Sequence, residues 1–146
     1  MGTRRISREQ ALQALFYMDM HGDPAQDPIE LFCNCFAHDK PAGPFFHRLV
    51  KGVQENSQTI DTVIERFSSN WKLSRMSCVD RNVMRIAAFE LLYCADIPPK
   101  VSINEAIDVG KRFGIEESGA FINGILDSIR LAIKENKVSS VPKSVA

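Results

Sequence analysis

The sequence predicts an all-α protein of six or seven helices. Apolar residues recur at intervals of three and four in almost every segment, which is the spacing of one helix face. Serine-led capping patterns, prolines and glycines divide the chain at helix-sized intervals. A length of 146 residues supports one good core and no second full domain. We expect one domain over residues 1–146, with helical subdomains at about 1–70 and 71–136 and a flexible tail at 137–146.

The first helix is predicted from a capping pattern near the N-terminus. Ser7 and Gln10 have the S-x-x-Q spacing of a capping box, which predicts a helix that begins near Arg8. Arg4 and Arg5 then fall in a flexible lead-in that this helix anchors. The first eight residues contain three arginines and no acid, so the chain starts with a small, concentrated positive charge.

The next segments are separated by prolines. Pro28 can open a short helix that ends at about residue 36, because its missing N–H costs nothing at a first helical position. Residues 38–44 have the composition of a linker. Residues 45–67 then predict either one long helix or two nearly collinear ones, with the uncertain point at Asn56–Ser57.

A nearly all-apolar helix follows a short hinge. Ser77 and Asp80 form an S-x-x-D capping arrangement, and the run from Val83 to Ala95 is interrupted by few polar residues. Such a helix must be surrounded by others, so we expect it to be the hub of the bundle. Pro98 and Pro99 are predicted to stop it.

Two further helices complete the predicted fold. Ser102 and Glu105 suggest a third capping box, and Gly114 is the predicted C-terminal cap residue. The last helix follows Glu116, Glu117 and Ser118. Gly124 lies inside this helix, where we expect it to permit a close helix crossing.

Composition restricts the class of protein without naming a partner. The apolar fraction of 45% and charged fraction of 25% are ordinary for a globular protein, and the formal net charge is zero. No uncharged apolar run is long enough for a membrane span, and the N-terminus lacks the apolar core of a signal peptide. We therefore expect a cytoplasmic protein with no membrane association.

The cysteines match neither CxxC pairs nor a secreted disulfide framework, so we expect reduced thiols; they are Cys33, Cys35, Cys78 and Cys94. An alternative is a zinc site from Cys33, Cys35, His38 and His47, since thiolate and imidazole are suitable ligands. Cys35 also falls on an apolar helix stripe, where cysteine acts as a small apolar residue. We expect no metal and no cofactor.

The sequence gives no support for catalysis. It lacks G-x-S-x-G, H-E-x-x-H, the Walker loop and G-x-G-x-x-G. Glu90 is the one titratable residue among apolar neighbours in the hub, and we expect it to accept hydrogen bonds from Asn104 or from a helix N-terminus across the bundle. We therefore predict that the protein is not an enzyme.

Four segments in order resemble the NusB family of bacterial transcription antitermination factors, over almost the whole chain. They read RRISREQALQALF, DRNVMRIAAFELLY, VSINEAIDVGKRFG and FINGILD. The resemblance implies an all-helical fold of two small bundles. It also implies binding to boxA RNA of ribosomal RNA leaders, a heterodimer with the ribosomal protein NusE, and a wider Nus complex with RNA polymerase.

The resemblance also implies which residues bind RNA. The arginine-rich start of the family falls on Arg4, Arg5 and Arg8, and acidic positions near its RNA and partner surface fall on Asp80 and Glu117. Carboxylates can accept hydrogen bonds from base amino groups. Phe16 stands where the family usually has tyrosine, and Phe121 matches a family aromatic. The predicted RNA-binding set is Arg4, Arg5, Arg8, Phe16, Asp80, Glu117 and Phe121.

For the NusE-facing surface, we predict the exposed side of the first half of the hub, with Arg75, Arg81 and Arg85. Two other interpretations stay open. The same fold is the RNA-binding part of ribosomal RNA cytosine methyltransferases, of which this chain could be a fragment. A structural homodimer is the other.

Overall fold

A computed structural model describes residues 3–21, 27, 29–30, 43–69 and 71–140. No strand occurs in these ranges, so the prediction of an all-α fold is confirmed. None of the helices there combines the length and apolarity needed to cross a bilayer. The elements with defined bounds are α1 (Thr3–His21), α2 (Pro44–Glu55), α3 (Ser57–Phe67), a 3-10 turn (Leu73–Arg75), α4 (Cys78–Tyr93), α5 (Pro99–Phe113) and α6 (Ser118–Lys134).

Helix α4 is the hub that its apolar sequence predicted. Each of the other five helices packs against it, and its residues are buried along most of its length. Met84 of α4, Leu49 of α2 and Ile122 of α6 are fully buried in one core. Each such side chain contributes about 1.5–3 kcal/mol of hydrophobic stabilisation, so the core holds the helices in fixed relative positions.

Helix α1 begins earlier than its predicted capping box. Its first residue is Thr3, and Ser7 is buried within the helix. The prediction of a start near Arg8, with Arg4 and Arg5 in a flexible lead-in, is therefore wrong. Arg4 lies near Asp96 and Arg5 bonds to Glu105, so the first turn has partners elsewhere in the fold.

Helix α5 likewise begins before its predicted box. Pro99 occupies its first turn, where the fixed φ of proline suits a helix. Ser102 and Glu105 instead point their side chains at charged groups of other helices, so the third box is wrong. Helix α4 ends at Tyr93, ahead of Pro98, and the Cys94 N–H donates to the Glu90 carbonyl at 3.0 Å.

The segment around Asn56 forms two helices rather than one. Asn56 leaves helical geometry with φ −117° and ψ 20°, and its side-chain amide donates to the Gly52 carbonyl at 2.9 Å. Gly52 lies against Phe89 of the hub, because a Cβ there would be 2.1 Å from the Phe89 ring. By contrast, nothing lies within 4 Å of a Cβ built on Gly124. The predicted close crossing at Gly124 is wrong.

The chain turns back after α6. Asn136 has a φ of 60°, in the left-handed region that commonly ends helices, and the Lys137 N–H donates to the Ala132 carbonyl at 2.8 Å. Val138 is then buried against the core. The flexible tail predicted from residue 137 therefore starts too early. The predicted helix at 28–36 and linker at 38–44 lie largely outside the described residues, as do residues 141–146.

Candidate functional site

Arg8 is an internal residue that joins three helices. Its side chain is 5% exposed and that of Glu90 is 1% exposed. Arg8 Nε donates to Glu90 Oε2 at 2.9 Å, and Nη2 donates to Oε1 at 2.7 Å. A third bond, from Nη1 to Glu105 Oε1 at 3.3 Å, reaches α5. Arg8 therefore fastens α1 to α4 and α5, and its guanidinium is not accessible for the RNA contact that the family resemblance implied.

Glu90 has the structural role predicted for it, with different partners. Besides Arg8, the Ser102 hydroxyl donates to Glu90 Oε1 at 2.7 Å. Asn104, the predicted donor, is exposed. Burial lowers the pKa of Arg8, but the hydrogen bond and charge of Glu90 outweigh burial, and the net pKa shift of Arg8 is upward. Arg8 therefore keeps its positive charge inside the fold.

Arg4 and Arg5 lie on the exposed first turn of α1, where carboxylates face them. Arg5 forms an ion pair with Glu105 and a bond of 2.7 Å from Nη2 to Asp108 Oδ2. The hydrogen bond that Arg5 donates to Glu105 raises the pKa of Arg5 further above its ordinary value. Arg4 is about half exposed, 3.7 Å from Asp96, with its guanidinium over the Phe45 ring. These two arginines are the accessible part of the predicted basic cluster.

Four predicted residues from both candidate surfaces meet in one groove of about 250 Å³. We call it the Trp71 groove; it is lined by Trp71, Arg75, Met76, Ser77, Asp80, Ile115, Glu117, Ser118 and Phe121. Asp80, Glu117 and Phe121 were predicted to bind RNA, and Arg75 to face the partner. The groove lies between the 3-10 turn, the start of α4 and the start of α6, so the core fixes all three of its walls.

Asp80 is positioned by the helix cap that its sequence predicted. The Ser77 hydroxyl accepts a hydrogen bond from the Asp80 N–H at 3.1 Å, which confirms Ser77 as the N-cap of α4. Asp80 is 7% exposed, and its Oδ1 has no hydrogen-bond partner in the structure. Buried carboxylate oxygens normally have partners, so this one is an unsatisfied acceptor on a residue that lines the groove.

Phe16 lines a second groove, of about 380 Å³, against the same turn of α4. This Phe16 groove is lined by Glu9, Leu12, Gln13, Phe16, Tyr17, Val79 and Phe113. Val79 and Asp80 are consecutive residues, so the two grooves meet the hub at neighbouring positions. Phe16 and Phe113 are both partly exposed, which gives this groove a mostly apolar surface.

Arg81 and Arg85 face inward, whereas Arg75 is exposed. Arg81 Nε donates to Asp19 Oδ2 at 2.6 Å, and Arg85 Nη1 donates to the same oxygen at 3.1 Å. Arg85 also bonds Asp61 through Nε at 2.9 Å. The expectation that all three arginines stand on an exposed side of the hub is therefore wrong for Arg81 and Arg85. Their predicted contact with a partner stays a prediction.

Asp19, Arg81 and Arg85 form a cluster in which opposite charges lower the pKa of the Asp19 carboxyl group. Burial raises the pKa of Asp19, but hydrogen bonds from Arg81 and Asn82 and the charge of Arg85 outweigh it, and the net pKa is lowered. The hydrogen bond to Asp19 raises the pKa of Arg81. Asp19 thus joins α1 to α4 at a second point, about three helical turns from Arg8 along α1.

No cluster suited to a metal ion occurs among the residues that the structure describes. Of the four predicted alternative zinc ligands, Cys33, Cys35 and His38 lie outside the described residues. His47 Nδ1 lies 2.9 Å from the Gly43 carbonyl oxygen. Cys94 is buried, and burial raises the pKa of its thiol to about 11.

Sequence reasoning missed Trp71 as a site residue. It was interpreted only as part of a hinge, yet it is 54% exposed and contacts Phe121 edge to face, with ring centroids 6.3 Å apart. The signal in the sequence that could have indicated Trp71 was its position shortly before the capped start of α4. Glu105 and Asp108, which hold Arg5, were also missed, because sequence spacing does not show that α1 and α5 are neighbours.

The sequence model of the NusB family matches residues 5–130, most of the chain. The chain belongs to the NusB family. Its relatives include "Transcription antitermination protein NusB" of Desulfatibacillum aliphaticivorans, 59% identical over 138 residues, 94% of this chain and 96% of that protein. The protein of the same name from Myxococcus xanthus is 47% identical over 92% of this chain and 99% of its own length.

Solved NusB structures share the fold of this NusB-family chain. The T. maritima NusB structure has a TM-score of 0.80 and 38% identity, covering 94% of this chain and 99% of that one. A structure of antitermination factors NusB and NusE in complex with dsRNA has a TM-score of 0.75 and 27% identity, covering 88% of this chain and 96% of that one.

Proposed function

We propose that this NusB-family chain is a non-enzymatic, RNA-binding transcription antitermination factor. It acts in the cytoplasm, binds boxA RNA of ribosomal RNA leaders together with NusE, and joins a wider Nus complex with RNA polymerase. Curated relatives matched over nearly their whole lengths are named antitermination proteins, which favours this function over a methyltransferase fragment. A structurally similar chain has been solved with NusE and dsRNA.

The observation that carries the proposal is the Trp71 groove. It unites Asp80, Glu117 and Phe121 with an exposed indole, a combination of aromatic faces and hydrogen-bond acceptors that suits unpaired bases. The Phe16 groove extends the aromatic surface from the same turn of α4. Single-stranded RNA is bound by such stacking surfaces when basic side chains track its backbone.

Arg4 and Arg5 supply the backbone contacts in this proposal. Each could neutralise one phosphate, which gives a log–log salt slope of about −1.4 on single-stranded RNA. This electrostatic attraction is modest, so NusE is needed for tight binding. Arg8 contributes by holding α1 in place through its internal ion pairs with Glu90 and Glu105.

Arg75 is the exposed member of the proposed NusE-facing set. Arg81 and Arg85 do not contact NusE directly in this proposal. They hold α4 against α1 and α3 through ion pairs with Asp19 and Asp61. An Arg75→Ala variant should then weaken NusE binding in a two-component titration. Equal affinity of the variant and the original chain for NusE would remove Arg75 from the interface.

Fluorescence anisotropy of labelled RNA tests the function. We expect boxA RNA to bind more tightly than a scrambled sequence, and NusE to increase the difference. Equal, weak binding to both sequences, with and without NusE, would contradict the proposal. This comparison depends on sequence, so nonspecific charge attraction cannot produce it.

The backbone contacts have their own test. An Arg4→Gln, Arg5→Gln double variant should reduce the magnitude of the salt slope by about 1.4. The matched control is the double variant Lys134→Gln, Lys137→Gln, which removes two positive charges at and just after the C-terminal end of α6. By the rise of an α-helix, that end lies about 24 Å from Ser118, the first residue of α6. A control that lowers the slope as much as the double variant would overturn the assignment.

A further inference from the structure

Trp71 presents an unusually open aromatic face. The indole is 54% exposed, and its neighbour across the groove, Ile115, is 64% exposed. Phe121 contacts the indole edge to face, at an interplanar angle of 74°, so Trp71 is supported at one side and open at another. Large apolar side chains grouped at one exposed place mark a binding surface.

Asp80 adds a second, independent observation at the same groove. It is 7% exposed, and its Oδ1 has no hydrogen-bond partner. The Ser77 cap bonds the backbone N–H of Asp80 and does not satisfy Oδ1. A buried acceptor without a donor costs free energy, which a donor entering the groove would recover after a small rotation of the carboxylate.

The geometry points to a slot for one unpaired RNA base, stacked on Trp71 with its amino edge turned to Asp80. This inference rests on the proposed function and specifies what the Trp71 groove holds. A base has a flat π face for the indole and ring and amino N–H donors for the carboxylate. In a duplex the π faces are stacked on neighbouring bases and the N–H donors are paired with the opposite strand, so the base that enters the groove is unpaired.

The charges of the groove favour the base over the RNA phosphate. Asp80 and Glu117 are acidic, which excludes a phosphate from the interior. Arg75, which lines the same groove and is proposed to face NusE, disfavours a basic side chain of a protein partner as the occupant of the groove, because such a side chain would bring a second cation beside it.

The slot also discriminates among bases. Guanine offers adjacent N1–H and N2–H donors that match a carboxylate, and cytosine and adenine offer an amino group. Uracil has one N3–H between two carbonyl oxygens, which the Asp80 carboxylate repels. We therefore expect amino-bearing bases to be preferred over uracil at the nucleotide that occupies the slot.

Tryptophan fluorescence tests the slot directly, because Trp71 is the single tryptophan of the chain. Titration with boxA RNA in the presence of NusE should quench this emission with the same midpoint as anisotropy, after subtraction of any NusE signal. An abasic scan of the RNA should then find one position whose loss restores the emission. Binding by anisotropy without quenching would overturn the slot and leave the proposed function intact.

Substitutions separate stacking from folding. Trp71→Ala should weaken RNA binding on the order of ten-fold, and Trp71→Phe should retain part of the affinity. Leu131→Ala, at an exposed apolar residue of α6 away from the groove, is the matched control and should have little effect. Circular dichroism checks that each variant is folded. Equal affinities for Trp71→Ala and the original chain would overturn the stacking role.

Asp80→Asn tests base reading by a change of preference rather than a loss of binding. Exchange of the slot nucleotide for uracil should weaken binding to the original chain several-fold and to Asp80→Asn by less, since the amide can donate to a uracil oxygen. The same discrimination in both proteins would overturn the role of Asp80. Glu55→Gln, at an exposed residue of α2 outside the groove, is the control, and we expect it to keep the preference of the original chain.

Two further outcomes identify what failed. If no RNA binds with or without NusE, the proposed function and the slot fail together. If Trp71 emission changes on addition of NusE and does not change when RNA follows, the groove is a protein interface, and the base slot is wrong.

Discussion

Arg8 has one interpretation from the sequence and a different one from the structure. In the sequence, Arg8 is the third arginine of a basic N-terminus; in the structure it is 4% exposed and bonds two carboxylates on other helices. A buried ion pair is weak evidence for net stability, but loss of one partner leaves an uncompensated charge. The pair therefore constrains which substitutions the core tolerates.

Glu90→Gln should destabilise the protein by about 3 kcal/mol, because it leaves the buried Arg8 charge without its main counter-ion. Urea denaturation measures the free energy of unfolding. Glu116→Gln, at an exposed position before α6, is the control and should change it by less than about 0.5 kcal/mol. Similar free energies of unfolding for the two variants would show that the Arg8–Glu90 pair does not contribute this much to stability.

Ser77 offers a second test at a single residue. Ser77→Ala removes the hydroxyl that accepts the Asp80 N–H, so we expect a loss of about 1 kcal/mol of stability. Ser74→Ala, in the exposed 3-10 turn, changes the same atoms without removing a cap. Thermal unfolding of both variants gives the comparison, and equal melting temperatures would contradict the cap.

At the scale of elements, the sequence predicted some helix starts and not others. The N-cap at Ser77 is confirmed, whereas Ser102 and Glu105 have the right spacing but bond across the fold. Local spacing identifies a cap only when the side chains have no stronger partner elsewhere. Arg8, on a distant segment, is such a partner for Glu105. The local spacing of Ser102 and Glu105 could not reveal this contact.

Two glycines of the helices show the same limit. Gly52 of α2 lies against the Phe89 ring, while Gly124 of α6 has open space beside it, the reverse of the predicted close crossing. Propensity treats both as costly helix glycines. Only the packing of α2 on α4 shows which one is required.

Alanine at these two positions should have opposite effects. Gly52→Ala should cost about 1–3 kcal/mol, because its Cβ would overlap the Phe89 ring. Gly124→Ala should stabilise by about 0.5–1 kcal/mol through helix propensity alone. Chemical denaturation of each variant measures the change, and a stabilising Gly52→Ala would contradict the described helix contact.

At the scale of the whole molecule, the fold and the family could be predicted from the sequence, and the electrostatic connections could not. Apolar periodicity identified the hub correctly, because burial on all sides leaves a nearly continuous apolar run. The Trp71 groove, in contrast, is built from three segments whose proximity follows only from packing. The family resemblance indicated Asp80, Glu117 and Phe121, but gave no signal for Trp71.

The ion pairs between helices make stability depend on pH. The hydrogen bond from Arg48 lowers the pKa of Asp96 from 3.8 to about 2, and the pKa values of Asp19 and Glu105 are also lowered. Groups with lowered folded-state pKa values stabilise the protein above their unfolded pKa values. That stabilisation is lost as the pH falls through the folded values.

We therefore expect the free energy of unfolding to decrease from about pH 5 toward pH 2. Asp19→Asn should have a shallower decrease, since Asp19 bonds both Arg81 and Arg85. Urea denaturation at several pH values measures this dependence. Identical pH profiles for Asp19→Asn and the original chain would show that this cluster does not contribute.

The long reach of the Arg8 pair has a consequence for biosynthesis. Arg8 meets Glu90 and Glu105 across 82 and 97 positions, so the Arg8 charge has no counterpart until most of the polypeptide has left the ribosome. The first turns of α1 are then fastened later than its C-terminal end, where Asp19 pairs with Arg81. A nascent chain stalled before residue 90 should leave the turns around Arg8 more open to protease than in the full-length protein.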